Sequence, residues 1–127
     1  MRIKMKTKQR QKKLMETPSP CTELQLPTIV KVAVDGALIK GYSIHRETYL
    51  RNPETNECLR MEGWKDVYLF PKFWDLEIHE KKLFTLIFPP LPAHWHVFDF
   101  WESKGRKPLY RAGILRNSDN LYFINHH

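Results

Sequence analysis

Little in this chain of 127 residues announces a reaction. Its two cysteines, Cys21 and Cys58, are too far apart for a C-x-x-C pair, so neither a disulfide framework nor a thiolate metal knuckle is specified, and a cytoplasmic protein with reduced thiols is expected. None of its five glycines falls in a G-x-G-x-x-G or P-loop arrangement, which leaves no phosphate-cradling loop. Ser43, Ser103 and Ser118 lack a G-x-S-x-G setting, so no nucleophile elbow is present. No apolar run approaches transmembrane length, and "TIVKVAV" is interrupted by Lys31 and lies too deep to be the core of a secretory signal. No catalytic residue and no cofactor is specified, and a non-enzymatic role is the expectation.

Charge is present in excess but unevenly. The net charge is +7. Residues 1–16 hold seven cations, with Arg2, Lys4, Lys6, Lys8, Arg10 and Lys12 at every other position, against the single acid Glu16. Such a run repels itself and offers little apolar surface to bury, so a disordered basic tail is expected. Residues 17–27, "TPSPCTELQLP", carry three prolines and read as an extended linker. Residues 28–127 are then nearly neutral and form one domain. Met15 opens "METPSP" and offers a second start, in which case the tail would not belong to the protein.

The body reads as β-rich. In "TIVKVAVDGALIKGYSI" a β-branched run meets Asp35-Gly36, a dipeptide suited to a type I′ turn, and a hairpin is expected that sets Lys31 opposite Lys40. A second hairpin is expected in "ETYLRNPETNECLRM", with Pro53 in the turn and Asn56 where a left-handed residue is needed. A short helix bounded by Asn52 and Gly63 is the rival there. Residues 71–82 fit either a strand through Trp74, Leu76 and Ile78 or one helix, which would make the fold α+β. The last runs, "HWHVFDFWE", "PLYRAGILR" and "LYFINH", read as an antiparallel meander. The expected fold is mainly β, a small antiparallel barrel or curved sheet built from hairpins.

The densest chemistry lies in "AHWHVFDFWESKGRK", residues 93–107. In a strand His94 and His96 would share a face, which makes them candidate metal ligands for a metal-dependent β-barrel enzyme. Glu102 stands too far along to join them, and the metal reading is secondary. A nucleic-acid reading uses other residues: rings at Trp95 and Trp101 for bases, and cations at Lys104, Arg106, Lys107 and Arg111 for phosphates, with Lys31 and Lys40 as a second basic pair. RNA or single-stranded DNA is the partner this implies. An acidic protein surface is the alternative, with exposed rings as anchors of an interaction or inhibitor module. Most rings of the stretch must be core, because a soluble monomer does not expose so much apolar area. Asp99, between Phe98 and Phe100, needs a partner, and Arg111 or Arg116 on the next strand is expected to supply it.

Overall fold

A computed structural model describes residues 25–104 and 108–126. The basic tail, residues 17–24 of the linker, and Arg106 and Lys107 lie outside the described residues. The described chain is mainly β, with ten strands and no helix: β1 (Thr28–Asp35), β2 (Gly41–Tyr42), β3 (Thr48–Arg51), β4 (Cys58–Arg60), β5 (Gly63–Lys65), β6 (Trp74–Asp75), β7 (Lys81–Phe88), β8 (Val97–Glu102), β9 (Tyr110–Leu115) and β10 (Leu121–His126). It therefore contains no helix long and apolar enough to cross a membrane.

Two four-stranded sheets share one core. The first runs β9-β8-β3-β4, the second β10-β1-β7-β5, and a short ribbon pairs β2 with β6. Strict alternation in β1 sends Thr28, Val30, Val32 and Val34 inward, and β7 answers with Phe84, Leu86 and Phe88. Each such apolar side chain contributes roughly 1.5–3 kcal/mol when fully buried. Rings lock the sheets together: Phe88 meets Phe100 edge-on at 6.2 Å between centroids, and Phe98 meets Tyr122 at 4.9 Å. Neither sheet closes into a barrel, so each keeps an inner apolar face and an outer face.

The first expected hairpin does not form. β1 pairs antiparallel with β7, so that Lys31 faces Thr85 and donates from Nζ to Thr85 Oγ1 at 3.0 Å, far from Lys40. Asp35 instead turns the chain locally: its side chain accepts from Ala37 N and its carbonyl accepts from Leu38 N and Ile39 N. Gly36 is required by a close backbone approach, since a Cβ there would stand 1.8 Å from the Glu77 carbonyl oxygen. The long β1–β7 ladder buries far more apolar surface than a local hairpin could, and it wins.

The second hairpin forms as expected, with Leu50 opposite Leu59 and Asn56 at φ 64°. Residues 71–82 are not helical. Trp74–Asp75 makes β6, a turn follows at Ile78–His79, and Lys81 and Lys82 already belong to β7. The final meander is half formed. β9 follows β8 antiparallel, but β10 crosses to the second sheet and runs parallel to β1, placing Tyr122 beside Val30 and Ile124 beside Val32. The apolar inner face of β10 completes the core there, which a third meander strand would have left open.

Candidate functional site

The outer face of the first sheet carries one continuous cross-strand row. Tyr110 on β9 is the register partner of Trp101 on β8, Trp101 of Tyr49 on β3, and Tyr49 of Arg60 on β4. Residues paired directly across a ladder project to the same side, so three rings and a guanidinium stand side by side. The Tyr49 and Trp101 rings lie 5.7 Å apart, tilted by 34°. Tyr110 is exposed, Trp101 retains 36% of its surface and Arg60 is exposed with no ion-pair partner among the described residues. Lys104, just beyond β8, is tethered to Glu47 at 3.3 Å through an exposed pair. Such pairs are worth roughly 0–1 kcal/mol, so this lysine is readily given up to another anion.

Beside the row, on the same face, the sheet is held by Asp99. It is buried to 4%, its Oδ2 accepts from Arg51 Nη2 at 3.0 Å and its Oδ1 accepts from Gly113 N at 3.0 Å. The register between β8 and β9 slips by one residue at this point, with Arg111 facing Phe100 but Ile114 facing Phe98. Gly113, at φ 69°, turns its amide into the bulge and onto the carboxylate. The structural ion pair expected of Asp99 exists, but its partner is Arg51 from β3. Arg116 instead donates to the carbonyls of Pro92 and Trp95 and pins the turn before β8. Hydrogen bonding to Asp99 raises the Arg51 pKa, against a smaller opposing effect of desolvation.

The remaining candidates are dispersed. Trp95 is 1% exposed and lies in the core, its indole N–H bonded to Glu57 Oε1 at 3.1 Å, so it offers no face to a base. Arg111, register partner of the inward Phe100, lies on the opposite side of β9 from Tyr110 and outside the ring row. Lys31 belongs to the outer face of the second sheet, and Lys40 to the loop before β2. Of the expected partner-binding residues that the structure describes, Trp101 stands in the ring row and Lys104 follows just beyond the end of its strand. The structure adds Tyr49 and Arg60, whose only signal in the sequence was the register of the Asn52–Asn56 hairpin.

The histidine pair does not make a metal centre with its surroundings. β8 begins at Val97, so His94 and His96 sit in the preceding turn, where strand parity does not apply. His94 Nε2 meets Glu57 Oε1 at 2.6 Å, and this contact is the main cause that lowers the Glu57 pKa. No group of three or more metal-ligating side chains occurs among the described residues. Comparison with known proteins adds nothing to this geometry: no family model, no curated protein and no solved structure matches the chain.

Proposed function

We propose that this chain is a small non-enzymatic binding module that takes single-stranded RNA or DNA on the outer face of its first sheet. The observation that carries the reading is the row Tyr110, Trp101, Tyr49 and Arg60 on one open face. Single-strand binding requires aromatic faces for bases and cations for phosphates, at a spacing that lets successive nucleotides lie across a sheet. Neighbouring strands stand about 4.8 Å apart, so three consecutive strands offer rings over a span of two or three nucleotides. Arg60 closes one end of the row, and Lys104 stands at the rim. The basic residues of positions 1–16 would add affinity by counterion release without reading sequence. The exposed thiol of Cys58 suits a reducing, cytoplasmic setting.

Fluorescence anisotropy with a short single-stranded RNA and a DNA of the same sequence tests the proposal. Affinity is expected to fall steeply with salt, and to fall further when residues 1–14 are removed, with a shallower salt slope. Absence of binding to both oligonucleotides at low salt would overturn it. A protein-docking reading is favoured by a different observation, the exposed Phe123 and Leu83 on the outer face of the second sheet. It predicts that polar replacements at those two positions abolish capture of a protein partner and leave oligonucleotide binding unchanged.

A further inference from the structure

A second concave feature lies away from the ring row. A cleft of about 550 Å³ opens between the loop around Leu38–Ser43 and the segment carrying Phe70, Phe73 and Asp75, and Glu102 borders it from within the sheet. Its walls are apolar: Ile39, Tyr42, Phe70 and Phe73 line it, and both phenylalanines keep substantial exposure. The two phenylalanine rings meet edge-to-face at 6.0 Å, so each is held by the other without being sealed off.

The ionisable groups on the lining include two carboxylates, Glu102 and Asp75, beside Lys40 and His126. Glu102 is only 6% exposed, and its two oxygens each accept one backbone N–H, from His45 at 2.7 Å and from Leu109 at 3.0 Å. A carboxylate has about four acceptor positions, so two donors leave it able to accept more. Neither donor carries a full charge, so no cationic side chain neutralises Glu102 among its hydrogen-bond partners. Asp75 lies beside Gly41, where a side chain would narrow the cleft: its Oδ1 is 3.8 Å from the place a Cβ would occupy. Lys40 is the one lysine on the lining, and its side chain is exposed.

We infer that this cleft binds a small organic cation, an ammonium group carried on a compact apolar or aromatic body. Glu102 and Asp75 take the charge, and Phe70 and Phe73 flank the body. Ligand sites of this size combine apolar walls with a few converging polar groups, and aromatic faces are themselves attractive to an ammonium. The same neighbourhood already shows that attraction internally: Lys82 Nζ lies 5.1 Å above the Trp74 ring and Lys72 Nζ lies 5.7 Å above the Tyr68 ring.

The test is a titration of the full chain with 2-phenylethylammonium, followed by backbone amide chemical shifts, with neutral 2-phenylethanol as control. Saturable shifts at residues 38–43 and 70–75 are expected at ligand concentrations up to about 10 mM, with the alcohol at least about tenfold weaker. Phe73→Ala and Asp75→Asn lie on exposed positions, and each is expected to weaken binding while leaving the melting temperature in place. Glu102→Gln should abolish it; if that variant fails to fold, the other two decide. Equal binding of the alcohol, no saturable shift with the ammonium, or unchanged affinity in both exposed variants would overturn the inference. Because no nucleic acid is present, these outcomes are independent of whether the ring row binds RNA or DNA.

Discussion

Arg51 and Asp99 face each other across β3 and β8, with Nη2 3.0 Å from Oδ2, and the carboxylate is almost wholly removed from water. The second carboxylate oxygen holds the bulge amide of Gly113, so one acid fastens three strands of the first sheet. Arg51→Met leaves that acid buried with one hydrogen bond. A loss of about 1–3 kcal/mol in urea unfolding is expected, below the full figure for a buried pair because Arg51 is itself partly exposed. Arg116→Ala, which releases the carbonyls of Pro92 and Trp95, should cost a similar ~1–3 kcal/mol. Arg111→Ala should stay within about 0.5 kcal/mol of the parent. A loss at Arg111 equal to that at Arg51 would contradict the pairing.

The two tryptophans of residues 93–107 should separate cleanly. Trp95→Ala empties a core site and is expected to cost ~3–5 kcal/mol in stability. Trp101→Ala removes a ring already partly in water. It should change stability much less and weaken single-strand affinity by about 1–3 kcal/mol, roughly ten- to a hundredfold. Anisotropy and thermal melting on the same samples check both, and an unaltered affinity in a folded Trp101→Ala protein counts against the ring row.

Two glycines invite opposite tests of backbone crowding. A Cβ at Gly36 would collide with the Glu77 carbonyl, and Gly36 N also donates to the Glu80 carbonyl at 2.7 Å, so the turn cannot simply move aside. Gly36→Ala is expected to cost upwards of about 1–3 kcal/mol by overpacking. At Gly113 nothing lies within 4 Å of the added carbon, and only the left-handed φ of 69° is unfavourable. Gly113→Ala should cost about 1–2 kcal/mol. Chemical denaturation ranks the pair, and Gly36→Ala must be the more damaging.

Glu102 gives a pH dependence of definite sign. Burial raises its pKa, and the backbone N–H groups of Leu109 and His45 offset this only in part. An acid whose folded pKa lies above its unfolded one binds more protons folded than unfolded between the two values. Its contribution is therefore present below the ordinary carboxylate range and is lost as pH rises through the raised pKa. The wild type should approach the stability of Glu102→Gln at acid pH and fall behind it toward neutrality. Urea unfolding of both proteins at a series of pH values measures the gap, and a gap that widens on acidification would reverse the assignment.

Much of this architecture was written in local pattern. The β-branched run "TIVKVAVD", the Asn52–Asn56 turn and the β-rich punctuation of residues 28–126 were legible because side-chain period and turn chemistry act over a few residues. The need of Asp99 for a cation was legible too, since a carboxylate among phenylalanines must be paired. Which cation was not legible, because the choice depends on β3 lying beside β8, some fifty residues apart.

The sequence by itself determined a mainly β domain, a basic tail, a hairpin at Asn52–Asn56 and the absence of any recognisable reaction motif. Tertiary structure alone decided that Asp35-Gly36 turns away from a hairpin, that β10 leaves the meander to run parallel to β1, and that Trp95 is core while Trp101 joins Tyr49 and Arg60 on an open face. The physical reason is common to all three. Each choice was made by the largest apolar face available to cover, and that face was assembled from strands distant in the chain, where no local signal reaches.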